Sequence, residues 1–291
     1  MPRRKYYPWS SYISAKSQKS LTLAKSFLGL YNETRNRILL LEVEMIRFII
    51  IILYILVFFI LSLILLPLEW LLGLFNKRAM RNSSLRIIKA VFGTIVFLAG
   101  TKLEVKGLEN VPDDQPVLYV GNHRSFFDIV ISMMYVKRVT GYVSKKENKK
   151  VPFLAQWMLN LNCLFLDRSD IKQGLNTILK AIELVKDGYS ICIFPEGTRN
   201  KENDTFLPFH EGSFKIAQKS GCLIQPFVFY NSAAIFEDHA PKVKKAHVIL
   251  QYLPSIDMKQ MEKEEAKHIG AYTQKLIEDA YFKIKAEADN N

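Results

Sequence analysis

His123 and Asp128 stand five residues apart in GNHRSFFD (121–128), directly after the apolar run PVLYV (116–120). An imidazole oriented by a carboxylate can serve as a general base near neutral pH. On one continuous helix the two side chains would point about 140° apart at 3.6 residues per turn, and could not meet. Ser125 offers another arrangement. As an N-cap it puts Asp128 at N3 of a capping box in which Asp replaces Glu. His123 then lies in the turn before the helix, within reach of a carboxylate folding back from the first turn. Capping and orienting are compatible roles for Asp128. The plainer alternative, a histidine making one structural hydrogen bond, stays open.

Two further polar clusters begin where an apolar run ends: DRSD (167–170) after CLFL (163–166), and PEGTR (195–199) after YSICIF (189–194). Ligands of open α/β sheets collect at the carboxyl ends of strands, so three such clusters can converge. Arg168 and Arg199 are planar, permanently charged forks suited to phosphate. Asp167 could instead pair with Arg168 on a surface, where the pair would contribute little. Gly197, between Glu196 and Arg199, lets backbone approach a ligand, although Pro-x-Gly also makes ordinary turns. Lys145, Lys146, Lys149 and Lys150 form a basic run that reads as a lipid-facing or solvated patch, from which one lysine could reach a phosphate. G-x-S-x-G, H-E-x-x-H, a Walker-type loop and a dinucleotide fingerprint are all missing. A histidine base with no activated Ser or Cys beside it points to a hydroxyl on the substrate.

Alternating elements must position these residues. Residues 116–120, 141–144, 163–166, 189–194, 224–230 and 247–252 read as strands. Residues 125–137, 152–160, 171–187 and 212–220 read as helices, and 262–285 as a closing helix. The expected fold is α/β, a sheet flanked by helices, preceded by an N-terminal membrane-embedded helical segment or hairpin. Three regions are expected: a basic polar arm (1–45), a membrane-embedded helical region (46–100) and a cytoplasmic α/β domain (101–291).

The membrane expectation rests on Phe48 to Leu66, 19 residues without a charge, where roughly 20 span a bilayer core. Basic residues flank it on both sides: Arg35, Arg37 and Arg47 before, and Lys77, Arg78, Arg81, Arg86 and Lys89 after. The positive-inside rule leans towards a cytoplasmic C-terminal side. A second apolar run, 90–100, is too short to span alone. One crossing and a hairpin returning to the same face both remain, with the doubly basic flanks favouring the hairpin. The net charge of +12 suits an anionic partner such as a lipid surface, on which the first 45 residues could lie. Cys163, Cys192 and Cys222 sit in apolar runs and read as buried reduced thiols.

NHRSFFD, CLFLDR, FPEGTR and LIQPFVF, in this order, resemble the four blocks of the glycerolipid acyltransferase family over roughly residues 85 to 255, most nearly the bacterial 1-acyl-sn-glycerol-3-phosphate acyltransferases. The resemblance implies His123 as base and Asp128 as its orienting partner, with a substrate hydroxyl in place of a triad serine. It assigns the glycerol phosphate to Arg168, Glu196, Gly197, Thr198 and Arg199, with Lys145 as an assistant, and gives Pro226 a part in shaping the site. Lysophosphatidic acid is then the acceptor and acyl-CoA or acyl carrier protein the donor, with no cofactor, metal or nucleic acid, at the cell membrane with the catalytic domain cytoplasmic. Gln225 departs from the usual aliphatic residue, and the N-terminal arm is longer than in many bacterial members. Rival readings are an acyltransferase for glycerol 3-phosphate or another lysophospholipid, and a non-catalytic membrane-binding protein. A nucleic-acid binder is suggested by charge alone, with no recognisable module.

Overall fold

The structure, a computed structural model, describes residues 9–167 and 170–290, with side chains throughout except at 9–28, 36–40, 171 and 289. The elements are α1 (Trp9–Phe75), α2 (Lys77–Ala99), β1 (Lys102–Lys106), β2 (Val117–Gly121), α3 (Phe126–Tyr135), β3 (Thr140–Lys145), α4 (Leu154–Asn160), β4 (Leu164–Leu166), α5 (Ile171–Lys186), β5 (Ser190–Ile193), α6 (Lys215–Ser220), β6 (Leu223–Tyr230), β7 (His247–Tyr252), α7 (Lys263–Lys267) and α8 (Ile269–Asp289). Internal contacts divide the chain into Met1–Ile46 and Arg47–Asn291.

Seven strands form one sheet in the order β1-β7-β6-β2-β5-β3-β4. β6, β2, β5, β3 and β4 run parallel, whereas β7 is antiparallel to β6 and carries β1 parallel to itself. Strand alternation sends β2 to two cores. Val117 and Tyr119 pack with residues of α1, α2, α3 and α4 on one face, while Leu118 and Val120 pack with α5, α6 and α8 on the other. Both faces are covered, as a largely parallel sheet requires. The carboxyl ends of β2, β4 and β5 therefore share one edge of the sheet, and the three polar clusters follow them.

Residues Leu41–Phe75 of α1 (35 residues) and Lys77–Ala99 of α2 (23 residues) are each long and apolar enough to cross a membrane, by length and composition. Ile60, Ile64 and Trp70 on α1 are 64 %, 65 % and 67 % exposed, part of an uncovered apolar surface that water would not favour. The other side of α1 is fastened by polar contacts. Trp157 Nε1 donates to Ser62 Oγ (2.9 Å). Glu69 accepts from Ser83 (2.6 Å) and Ser84 (2.9 Å), and Ser84 accepts from Asn160 (3.1 Å). These bonds tie α1 and α2 to α4.

Three differences from the sequence expectations have physical causes. The apolar run at 90–100 ends a full 23-residue helix begun by Asn76, whose side chain caps Ala79 N–H, and closed by Gly100 in the left-handed region; its polar first half hid it from a hydropathy reading. β1 (KLEVK) was not anticipated, because a charged residue at every second position marks an edge strand stabilised mainly by pairing, here with β7. The expected helix 262–285 is broken at His268, where Glu211 accepts the Gly270 N–H (3.0 Å) and Ala271 N–H (3.3 Å) and so starts α8.

Candidate active site

β2 ends in Gly121, and the next residue fixes the turn. Asn122 is buried, and its side chain donates to Phe229 O (2.9 Å) and accepts Phe229 N–H (2.8 Å), extending the β2–β6 pairing by one side chain. His123 follows with its peptide clamped on both sides. Its N–H donates to Glu196 Oε1 (2.8 Å), and its carbonyl accepts Asn200 N–H (2.8 Å). The imidazole stacks on Phe194, with ring centroids 4.2 Å apart.

Ser125 caps α3, accepting Phe127 N–H at 2.9 Å, and Asp128 completes a capping box as its N3 residue. Asp128 is fully buried. One oxygen, Oδ2, takes the Ser125 N–H (2.8 Å), the Arg124 N–H (2.7 Å) and His123 Nδ1 (2.9 Å). Cap and orienting partner are thus one carboxylate. With Nδ1 donating to Asp128, the lone pair is on Nε2, which makes no hydrogen bond among the described residues.

Gly197, at φ +73°, turns the chain after β5; a Cβ there would lie 3.2 Å from the His210 ring. Glu196, Gly197 and Thr198 line a cleft of about 470 Å³ together with Phe194, His210 and residues of β3, β4 and α5. Lys145 stands exposed at the end of β3. Arg168 lies outside the described residues. Gln225 is buried and fastens the chain beyond β7 through Leu253 O (2.6 Å) and Ser255 Oγ (2.6 Å), so its side chain is spent away from the site. Pro226 sits beside it in β6, opposite Val120. Among the described residues, no group of three or more His, Cys, Asp and Glu is placed to hold a metal ion. The three cysteines are free and buried, and burial pushes the Cys163 thiol up to about 12.

Glu196 behaves differently from a surface ligand group. Its two oxygens accept the His123 N–H and the Leu207 N–H (3.2 Å), and burial pushes its carboxyl up to about 7 against the pull of those two donors. The folded chain thus keeps a proton that the unfolded chain releases near pH 4.5, so folding stability falls as pH rises from about 4.5 towards 7. The window corresponds to about 3 kcal/mol. Glu196→Gln removes the titration. Melting curves of both proteins between about pH 5 and about pH 8 should show wild type losing several degrees relative to the variant. A difference independent of pH would mean that no shifted carboxyl stands at 196.

Arg199 stacks its guanidinium over the Phe126 ring, 3.8 Å from the centroid, and donates from Nη1 to Glu237 Oε1 (3.0 Å). Sequence reasoning missed Glu237. It lies 38 residues from Arg199, in a short 3₁₀ turn (Glu237–His239) outside every motif, and no local pattern marks it.

Residues 102–230 match the acyltransferase family. The chain is 30 % identical over 183 residues to the 1-acyl-sn-glycerol-3-phosphate acyltransferase of Borreliella burgdorferi, covering 63 % of this chain and 73 % of that protein. It is 32 % identical over 207 residues to the enzyme of the same name from Helicobacter pylori, covering 67 % and 86 %. The crystal structure of the 1-acyl-sn-glycerophosphate (LPA) acyltransferase, PlsC, from Thermotoga maritima shares the fold, with a TM-score of 0.70 over 84 % of this chain and 98 % of that one, at 23 % identity. With the histidine, the aspartate and the PEGTR turn gathered at one sheet edge of such a fold, this chain belongs to the 1-acyl-sn-glycerol-3-phosphate acyltransferase family and is an O-acyltransferase.

Proposed function

We propose that this enzyme transfers an acyl chain from an acyl thioester to the sn-2 hydroxyl of 1-acyl-glycerol-3-phosphate, giving phosphatidic acid, with His123 as the general base. The observation that carries the reading is the His123–Asp128 pair: Nδ1 held at 2.9 Å by a buried carboxylate, and Nε2 open. Nε2 takes the sn-2 hydroxyl proton as that oxygen attacks the thioester carbonyl. The tetrahedral intermediate collapses by breaking the C–S bond, and the imidazolium returns the proton to the departing thiolate. No acyl-enzyme forms. Asp128 stabilises the transient imidazolium and holds the ring. Glu196 and Asn200 keep the His123 peptide in place. Gly197 and Thr198 line the cleft; Arg199 receives the acceptor's phosphate, with Arg168 and Lys145 as further cationic partners.

Both acceptor and product are lipids. The uncovered apolar surface of α1 supports embedding in the bilayer, and the contacts of α1 and α2 with α4 favour a hairpin that returns to the face carrying the α/β domain. The basic flanks of that hairpin favour the cytoplasmic face of the cell membrane.

The test uses the full chain in detergent, lysophosphatidic acid, and a labelled acyl group supplied as acyl-CoA in one arm and on acyl carrier protein in the other. Formation of phosphatidic acid in either arm supports the reaction and identifies the donor. Labelling only of glycerol 3-phosphate or of lysophospholipids with larger headgroups would replace the acceptor. Arg199→Ala should raise KM for lysophosphatidic acid roughly tenfold or more, the worth of a charge-assisted hydrogen bond. An unchanged KM would remove Arg199 from the phosphate site.

A further inference from the structure

Glu237 belongs to no motif, yet it meets the candidate site at three points. Oε1 accepts the Phe126 N–H (2.7 Å) and Arg199 Nη1 (3.0 Å), and Oε2 accepts the Ser125 hydroxyl (2.6 Å). Its side chain is 18 % exposed, against 35 % for Arg199. The turn that carries it is itself anchored, since the neighbouring Phe236 stacks on Phe48 of α1 with ring centroids 5.8 Å apart.

We infer that Glu237 is a positioning residue for acceptor binding: it pins Arg199 flat on Phe126 so that the rest of the guanidinium faces the acceptor's phosphate. The inference rests on the phosphate role proposed for Arg199. A guanidinium carries five N–H donors, and Glu237 engages it through Nη1 alone. An unpinned arginine would lose its rotamer freedom at the moment of binding, a cost that a pre-ordered one avoids. Against this, a carboxylate beside the cation weakens its pull on an anion. Here that effect is limited, because the Glu237 charge is shared with the first N–H of α3, at the positive end of a ten-residue helix, and with the Ser125 hydroxyl. Ser125 also joins the two halves of the site. Its hydroxyl meets Glu237 while its N–H meets Asp128.

Steady-state kinetics on the full chain in detergent would compare wild type, Glu237→Ala, Glu237→Gln, Arg199→Ala and the Glu237→Ala/Arg199→Ala double variant, with lysophosphatidic acid varied and the donor saturating. Glu237→Ala is expected to raise KM for the acceptor roughly three- to tenfold with kcat within about twofold. Glu237→Gln keeps one oxygen for the Phe126 N–H and Arg199 Nη1 but presents an NH₂ to Ser125, whose hydroxyl can turn to accept it, and should fall between wild type and alanine. On the Arg199→Ala background, Glu237→Ala should change KM no further, because a positioning residue acts only through the group it positions. The inference is overturned by a lower KM in Glu237→Ala, which would mean that Glu237 competes with the phosphate. A fall in kcat at unchanged KM, in the glutamine variant as well, would overturn it too. Additive KM effects in the double variant would overturn it while leaving the role of Arg199 standing. If Arg199→Ala alone leaves KM unchanged, both fall together.

Discussion

Replacing His123 by alanine is expected to lower kcat by about 10²–10⁴-fold, the usual contribution of a general base, while KM for lysophosphatidic acid changes little. The separation follows from geometry. In the proposed reaction the ring takes the hydroxyl proton, whereas Arg199 is held by Glu237 and Phe126 without it. The variant should fold, because the His123 peptide keeps both clamps, to Glu196 and to Asn200 N–H, and Asp128 keeps two backbone donors. The stack on Phe194 is lost, so a modest drop in melting temperature is expected. Turnover and melting are therefore measured on the same preparation. A folded His123→Ala enzyme with wild-type turnover would reduce GNHRSFFD to a capped helix start.

Removal of the Asp128 side chain should cost nearly as much. Asp128→Ala is expected to lower kcat by roughly 10³–10⁴-fold, by analogy with the loss of the orienting carboxylate in a Ser-His-Asp triad. It also leaves the Ser125 and Arg124 N–H groups without their acceptor, which should destabilise the start of α3 by about 1–2 kcal/mol. Asp128→Asn separates the two effects. Oδ2 alone takes all three donors, and Oδ1 has no hydrogen-bond partner among the described residues. An asparagine can set its amide oxygen where Oδ2 stood and turn its NH₂ to the other side, keeping the imidazole tautomer and the cap. The charge is lost and the NH₂ enters a buried position without an acceptor among the described residues, so some stability is lost as well, and the expected fall in kcat is about 10–10²-fold. Each variant would be measured alone and combined with His123→Ala. Residues acting as one unit should show a double variant no worse than His123→Ala by itself. A double variant that multiplies the two losses would mean that Asp128 does not act through His123.

The local geometry of the site was legible in the sequence because it is set over a few residues. A capping box is set by helix geometry over four residues, so Ser125 and Asp128 declared the start of α3, and the start of α3 brought Asp128 back to His123. The alternation of apolar runs likewise declared six of the seven strands and the α/β class, and the uncharged run from Phe48 to Leu66 declared an apolar helix. The four blocks carried the family.

Partners distant in the chain were not legible, because nothing short-range records them. Glu237 finds Arg199 only once β6 has carried the chain to the same sheet edge as β5, and Glu211 starts α8 from 59 residues away. β1 is a strand because β7 is there to pair with it. Glu196 shows the division within one residue. Its motif marked it for the acceptor, whereas both its oxygens hold backbone N–H groups, of His123 and of Leu207. Sequence by itself determined the family and the local geometry that brings Asp128 to His123, since residue type and short spacing fix local backbone. Only the tertiary structure decided that Glu196 lines the cleft and braces the His123 peptide at once, since burial and hydrogen-bond satisfaction belong to the assembled sheet.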